Sequence, residues 1–159
     1  MSQFTPQSAL PKLENVRIAI AVAEWNGHIT SSLCRGAVTL LKENGLANED
    51  IAVVSVPGAV ELTFAASKLI ETGNFDAIII LGCVIRGDTP HFDYVCQSVT
   101  QGMTSLNADC DIPVIFGVLT VNDEQQALDR AGGVLGNKGT EAAETALKMV
   151  ALNRSVDDL

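Results

Sequence analysis

A histidine that follows a tight turn is the part of this sequence best suited to chemistry. Residues 84–91 read VIRGDTPH and come after an apolar run, residues 76–83, that is typical of a strand buried on both faces. Thr89 fits the N-cap of the next helix and Pro90 its first residue, so His91 falls in the first helical turn. Free amides and the helix dipole attract anions at such a turn. The pattern predicts an anion site with an acid/base histidine, or alternatively a histidine that only caps or packs.

Three other residues stand where a ligand would bind, but each also has a plainer explanation. Trp25, the only tryptophan, directly follows the first predicted strand and either stacks on a flat ligand or belongs to the core. Glu61 falls in the first turn of a helix, where the dipole favours a carboxylate in any case. Phe116 lies in the middle of an apolar strand, where core packing is the default expectation. Position alone leaves both explanations open.

Two cations flank a glycine-rich break near the end of the chain. Arg130 precedes the break at residues 132–136, and Lys138 follows it. One interpretation is a phosphate clamp, in which the planar fork of arginine and the point charge of lysine bind the same anion; the other is two solvated surface charges. The sequence contains no G-x-x-x-x-G-K-[ST] loop, and no G-x-G-x-x-G follows the first strand. A nucleotide cofactor is therefore less expected.

These candidate residues are positioned by a sequence in which strands and helices alternate. Four strand-then-helix units predict an α/β fold, a three-layer sandwich in which a four-stranded parallel sheet has helices on both faces. In such folds, functional residues gather at the carboxyl ends of the strands. The predicted strands are residues 16–23, 51–56, 76–83 and 113–119, and the predicted helices are residues 29–41, 62–70, 92–106, 123–131 and 138–152.

The composition fits one globular domain and excludes several classes of protein. The chain of 159 residues is divided into an N-terminal arm, residues 1–14, and an α/β domain, residues 15–159. The net charge of −9 argues against nucleic acid and anionic membranes as partners, and no apolar run is long enough to span a membrane. Four separated cysteines predict buried, reduced thiols in a cytoplasmic protein and no metal site. The hydrophobic fraction of 47% predicts interfaces between subunits.

Five segments of the sequence together resemble one known family. They are PGAVEL at residues 57–62, GCVIRGDTPHF at 82–92, FGVLT at 116–120, QALDRAG at 126–132 and GNKG at 136–139. They are similar to the 6,7-dimethyl-8-ribityllumazine synthase family, and the similarity covers about residues 16–153. The resemblance implies a flavodoxin-like fold and a transferase of riboflavin biosynthesis. Such an enzyme condenses 5-amino-6-(D-ribitylamino)uracil with 3,4-dihydroxy-2-butanone 4-phosphate, releases phosphate and water, and uses no metal or organic cofactor.

The resemblance also implies which residues bind the two substrates. Trp25 takes the aromatic position that stacks on the pyrimidine, where many relatives have phenylalanine. Residues 59–61 match the segment that holds the ribityl chain, and residues 83–85 match the segment at the pyrimidine edge. The phosphate loop is matched by residues 88–89, although a carboxylate at Asp88 repels phosphate unless its side chain points away. The residues implied to bind substrate within one subunit are Trp25, Ala59, Val60, Glu61, Cys83, Val84, Ile85, Asp88 and Thr89.

Catalysis is assigned by the same resemblance to His91, which matches the proton-transferring histidine. Phe116 and Arg130 match residues that a neighbouring subunit supplies, with Arg130 reaching the phosphate, and Lys138 matches a lysine near the same site. Holding the two reactants together is expected to supply much of the rate. The rival interpretation is a non-catalytic flavin or lumazine carrier, or a shell protein, of the same fold. A carrier, however, has no need of a phosphate clamp.

Homo-oligomers are implied by the resemblance as well. Members of the family form pentamers with active sites between neighbours, and in some members twelve pentamers close into an icosahedral shell of sixty subunits. Shell-forming relatives tend to have a short link between the last two helices, as this chain has at residues 131–139. A pentamer is therefore expected, and a closed shell is favoured. The other expected partners are the two small-molecule substrates and, as a candidate, riboflavin synthase.

Overall fold

The computed structural model of the chain describes residues 9–156. Residues 1–8 of the predicted N-terminal arm lie outside the described residues, and residues 9–14 form no helix or strand. From β1 to α5 the elements follow the predicted order, with two short strands added near the end. The elements are β1 (Ile18–Ala23), α1 (Gly27–Glu43), a 3-10 turn (Asn48–Asp50), β2 (Ile51–Val56), α2 (Leu62–Glu71), β3 (Ala77–Ile85), α3 (His91–Asp109), β4 (Val114–Val121), α4 (Glu124–Arg130), β5 (Ala131–Gly133), β6 (Gly136–Asn137) and α5 (Lys138–Val156).

The main sheet has four parallel strands in the order β2-β1-β3-β4. Ile18 at the start of β1 pairs with Ile51 of β2 on one side and with Ala77 of β3 on the other, and β3 pairs with β4 on its other side, so β1 and β3 are the central strands. Both are apolar and buried over most of their length, because helices cover the two faces of the sheet. The α/β fold predicted from the sequence is confirmed.

Alternate residues of the strands supply two hydrophobic cores, one on each face of the sheet. On one face, Ile20 and Ile79 are buried with Leu33 of α1 and Leu147 of α5. On the other face, neighbouring strand residues such as Ile80 are buried against α2 and α3. The two cores hold the carboxyl ends of β1 and β3 in place, and the loops that follow these strands extend from that fixed edge.

The predicted glycine-rich break between the last two helices is a short hairpin instead. Its strands β5 and β6 are antiparallel. Gly132 and Gly136 adopt φ values of +109° and +82°, a conformation that glycine reaches without steric cost. Asn137 attaches the hairpin to α1, because its Nδ2 donates to the Ser32 carbonyl at 3.0 Å. The link is therefore compact and anchored.

Most element boundaries differ by a few residues from the sequence prediction, those of β1 and α3 among them. β1 begins at Ile18, two residues after the predicted start. α3 begins at His91 with Pro90 in the N-cap position, so the predicted assignment of Thr89 as N-cap is wrong by one residue. The hydroxyl of Thr89 still accepts a hydrogen bond from the His91 amide at 3.4 Å, which is the kind of contact that a cap makes.

The cysteines differ in part from their prediction. All four are free thiols, but only Cys83 is buried, whereas Cys34, Cys96 and Cys110 are partly exposed. Cys34 lies in α1, Cys96 in α3 and Cys110 just beyond the end of α3. Cys34 and Cys110 are partly buried against the hydrophobic cores. Within residues 9–156, no helix combines the length and apolar character of a membrane span, and no three metal-binding side chains cluster.

Candidate functional site

A cavity of about 590 Å³ lies at the carboxyl edge of the sheet, between the ends of β1 and β3. In the strand order β2-β1-β3-β4, the chain turns outward in opposite directions from these two central strands. Open α/β sheets bind ligands at such a topological switch point. The volume also falls within the range of about 300–1,000 Å³ that is typical of small-molecule sites. Fold and cavity together indicate a small-molecule site.

The cavity brings together most of the residues predicted for the site. Asp88 lies on the same turn as Thr89 but does not line the cavity. The predicted residues in the lining are Trp25, Ala59, Val60, Glu61, Cys83, Val84, Ile85, Thr89 and His91. The lining also contains Asn26, Pro57, Gly58, Gly87, Phe92 and Val95, which sequence reasoning did not select although the turns after β1 and β2 pointed to this region.

Trp25 lies at the mouth of the cavity and is 75% exposed, which rules out its alternative assignment to the core. The neighbouring Asn26 adopts a left-handed φ of 57° as α1 begins. Asn26 Nδ2 donates to the Cys83 carbonyl at 2.9 Å, and the Trp25 amide donates to the Pro57 carbonyl at 3.2 Å. These two bonds tie the loop to the ends of β3 and β2. A flat aromatic ring is therefore held beside the cavity and open to a ligand.

The turn between β3 and α3 has unpaired donors. In the part of the chain that the structure describes, the backbone N–H groups of Gly87, Asp88 and Thr89 donate to no protein acceptor. α3 begins directly afterwards at His91, and its dipole adds partial positive charge. Since Gly87, Thr89 and His91 line the cavity, this end of it has the donors that an anion needs.

The charge of the cavity lining is incomplete for a phosphorylated ligand. Among the described residues, no lysine or arginine lines the cavity, whereas the carboxylate of Glu61 does. Burial, with a smaller contribution from the negative charge of Glu124, raises the pKa of the Cys83 thiol to about 11. Cys83 is thus a neutral thiol near pH 7 and not a nucleophile. A phosphate dianion would need its cation from elsewhere.

The remaining predicted residues, Phe116, Arg130 and Lys138, line a second recess of about 540 Å³ along the edge strand β4. Phe116 is 43% exposed, so the default expectation of core packing is wrong; the covering helices leave this part of the sheet edge open. Arg130 Nη1 donates to the Gln126 carbonyl at 2.9 Å, and Lys138 pairs with Glu141. The structure brings these three residues together but does not place them in the cavity of their own chain.

An open parallel sheet, a cavity at its switch point and a turn with unpaired amides define the class of doubly wound proteins that bind small molecules. Comparison with known proteins narrows this class. A model of the 6,7-dimethyl-8-ribityllumazine synthase family matches residues 15–154. The chain belongs to this family, and the family identified from the sequence is confirmed.

Individual relatives agree with the family match. The 6,7-dimethyl-8-ribityllumazine synthase of Porphyromonas gingivalis is 57% identical over 146 residues, which is 92% of this chain and 91% of that protein. The proteins of the same name from Bacteroides fragilis and Phocaeicola vulgatus are 58% identical over 135 residues and 54% identical over 143 residues. These two alignments cover 85% and 90% of this chain and 94% and 85% of the relatives.

Proposed function

We propose that the cavity between β1 and β3 is the active site of a 6,7-dimethyl-8-ribityllumazine synthase. There the amine of 5-amino-6-(D-ribitylamino)uracil attacks the ketone of 3,4-dihydroxy-2-butanone 4-phosphate and forms an imine. Inorganic phosphate is eliminated, and the resulting enol rearranges and closes onto the second nitrogen. Water leaves at the two condensation steps, and every atom of the product comes from the two substrates. Family membership and a cavity of suitable size support this assignment.

The pyrimidine end of the site is assigned to the loops after β1, β2 and β3. The exposed ring of Trp25 stacks on the pyrimidine, and Glu61 with its neighbours receives the hydroxyls of the ribityl chain. The backbone at Cys83 meets the pyrimidine edge, and its neutral thiol adds no charge there. Positioning by rigid strand ends is the main catalytic contribution at this end of the cavity.

The phosphate end is assigned to the turn before α3. The free amides of Gly87 and Thr89 bind phosphate oxygens, while His91 moves the protons of imine formation and elimination. Asp88 lies outside the cavity lining, so its carboxylate need not face the phosphate. This arrangement leaves the phosphate charge only partly balanced by one subunit.

The main observation in support of this proposal is that two cationic side chains, Arg130 and Lys138, lie outside the cavity of their own chain. Arg130 and Lys138 lie with Phe116 along the edge strand β4, which has no partner on its outer side among the described strands. We infer that this edge closes the cavity of a neighbouring subunit and supplies Arg130 to its phosphate. A pentamer at least is proposed, with a closed shell as the favoured assembly. The cytoplasmic location and the partnership with riboflavin synthase stay predictions.

Turnover is the direct test of the proposed activity. Purified protein is mixed with both substrates, and the fluorescence of the lumazine is followed against the spontaneous background reaction. Faster formation with the protein supports the enzyme. Tight binding of the lumazine without faster formation would support the carrier instead.

The shared site is tested by complementation between subunits. His91→Ala and Arg130→Ala are each expected to turn over slowly as pure assemblies. When the two variants are co-expressed, about one quarter of randomly mixed sites combine an intact His91 with an intact Arg130 from the neighbour. Activity well above the mean of the two pure variants supports the shared site. Activity equal to that mean would show that both residues serve the same subunit.

A further inference from the structure

Arg86 makes four contacts at the start of the turn that carries the free amides, and it does not line the cavity. Its backbone amide donates to the Val121 carbonyl at 2.9 Å, which fixes the end of β3 against β4. Its side chain then turns back over α3: the guanidinium lies 4.1 Å from the centre of the Phe92 ring, and Nη2 lies 3.2 Å from Asp93 Oδ1. Nε donates to Asn122 Oδ1 at 3.3 Å.

These contacts join the two ends of the turn. Arg86 immediately precedes Gly87, and its partners Phe92 and Asp93 lie in the first turn of α3. Between them the turn has little bonding of its own: the described hydrogen bonds within it are that of the His91 amide to Thr89 and those that begin α3 at Pro90. Its geometry therefore depends on the side chain that closes it.

The guanidinium is committed to protein partners and does not line the cavity. Asn122 accepts from Nε and Asp93 accepts from Nη2, while the ring of Phe92, which itself lines the cavity, packs against the guanidinium. Planar stacking and a fork of donors are properties of arginine that lysine does not share. The arrangement suits a residue that sets the position of others and not a ligand of the substrate.

We propose that Arg86 is a positioning residue for the phosphate end of the cavity. Together with Phe92, Asp93 and Asn122 it forms the Arg86 clasp, which holds the free amides of the turn and the side chain of His91 at a fixed separation. The inference rests on the proposed function of the cavity and adds a residue that acts through the turn. Because the ion pair with Asp93 is about half exposed, its loss should change the turn more than the stability of the fold.

The test compares Arg86→Lys, Arg86→Ala and Asp93→Ala in the intact assembly. Arg86→Lys keeps the positive charge but loses the stacked fork. We expect both Arg86 variants and Asp93→Ala to raise the KM for the butanone phosphate and the inhibition constant of inorganic phosphate on the order of tenfold. The KM for the pyrimidine should stay within about twofold, because the Trp25 loop is held by other bonds. Arg17→Lys is the matched control, since Arg17 stacks on Phe75 at 5.5 Å, before β1 and outside the cavity lining.

A double-variant cycle separates positioning from direct binding. If Arg86 acts through the clasp, Arg86→Lys combined with Asp93→Ala should be no worse than the poorer single variant by more than about twofold. The proposal would be overturned if the effects of the two substitutions on the constants for the butanone phosphate multiply in the double variant. It would also be overturned if Arg86→Lys has the constants of the unchanged protein. If the Arg86 variants do not fold, Asp93→Ala alone decides, and an unchanged KM for the butanone phosphate in that variant overturns the clasp.

Failure of the clasp and failure of the proposed function give different results. If the unchanged protein forms no lumazine above background, the proposed function fails whatever the variants do. The clasp is then judged from hydrogen exchange of the Asp93 and Tyr94 amides, which donate to the Pro90 carbonyl where α3 begins. Faster exchange in Arg86→Lys than in Arg17→Lys supports the clasp, and equal exchange in the two variants overturns it.

Discussion

Asn26 Nδ2 donates a hydrogen bond to the carbonyl oxygen of Cys83 at 2.9 Å, across 57 residues of sequence. The bond joins the loop after β1 to the end of β3, on the two sides of the topological switch point. Asn26 also adopts a left-handed φ of 57°, which asparagine tolerates better than most residues. The same residue thus satisfies a backbone requirement and fixes the place of its neighbour Trp25.

Substitution of Asn26 should separate these two roles. Asn26→Gly keeps the left-handed backbone but removes the bond, so pyrimidine binding should weaken about three- to tenfold. Asn26→Ala should weaken binding similarly and should also lower the free energy of unfolding by about 1–2 kcal/mol, since alanine is strained at this φ. Binding is measured by quenching of the single tryptophan, Trp25.

The matched control for this substitution is Asn15→Gly. Asn15 also has a left-handed φ, of 53°, but it does not line the cavity. Its glycine variant should bind the pyrimidine as the unchanged protein does. If Asn26→Gly also binds with unchanged affinity, the bond to Cys83 does not position Trp25.

His91→Ala should slow turnover by about a hundredfold without abolishing it, because proximity of the two substrates survives the loss of a proton shuttle. Substrate binding should change little. Single-turnover formation of the fluorescent lumazine measures the effect. The other histidine provides the control: His28 pairs with Glu124 outside the cavity lining, so His28→Ala should leave the rate unchanged. An undiminished rate in His91→Ala would assign the protons to water or to another residue.

The fold was predictable because its signals are local. Apolar runs and turn residues mark β1 to β4 and their helices, and the parallel order follows from their alternation. β5 and β6 were missed because strands of three and two residues are too short to show a period of two. The hairpin depends instead on the hydrogen bond between Asn137 and Ser32, two residues that are 105 positions apart in the sequence.

The candidate site was predictable where a motif lies in one segment. Six of the residues between 83 and 91 line the cavity from one strand end and the turn after it, so their grouping follows from the sequence. The exposure of Phe116 was not predictable from an apolar strand, because it depends on where the covering helices end. Asn26 and Arg86 were missed for a related reason: their roles lie in bonds to the distant residues Cys83 and Asn122.

Gly139 is expected to tolerate no side chain. It lies at the start of α5, where a Cβ would overlap the carbonyl oxygen of Leu33 in α1. Backbone cannot move aside as a side chain does, so Gly139→Ala should cost roughly 3 kcal/mol or more in the free energy of unfolding. Urea denaturation followed by circular dichroism measures this cost.

Gly27→Ala is the matched control for that substitution. Gly27 begins α1 and does not adopt positive φ, and a Cβ added there would meet no neighbouring atom. Alanine there should be neutral or stabilising by up to about 1 kcal/mol. A Gly139→Ala variant as stable as Gly27→Ala would mean that α1 and α5 can separate without cost.

The raised pKa of Cys83 makes stability depend on pH in the alkaline range. In the unfolded chain its thiol ionises near the ordinary pKa of 9.0, but in the fold only at about 11. Folding therefore favours the neutral thiol. Its contribution to the free energy of unfolding is present below pH 9 and is lost as the pH rises from 9 to 11.

This loss is measurable by comparison with Cys83→Ala at equal protein concentration. Between pH 8 and pH 10.5, the unchanged protein should lose about 2 kcal/mol more unfolding free energy than Cys83→Ala does. The other alkaline titrations cancel in the difference. Parallel pH curves for the two proteins would show that the Cys83 thiol ionises equally easily in the folded and unfolded states.

The compact link between α4 and α5 bears on the proposed assembly. β5 and β6 form a hairpin fixed to α1 through Asn137, and Val134 at its tip is 82% exposed. If a closed shell forms, such a tip fits between pentamers only while it stays short. We therefore expect particles far larger than a pentamer by light scattering of the purified protein.

Insertion of four Gly/Ser residues after Val134 should reduce these particles to pentamers with unchanged turnover, because the cavity and the β4 edge are untouched. A stable pentamer of the unchanged protein would exclude the shell, and an active monomer would exclude the shared site as well.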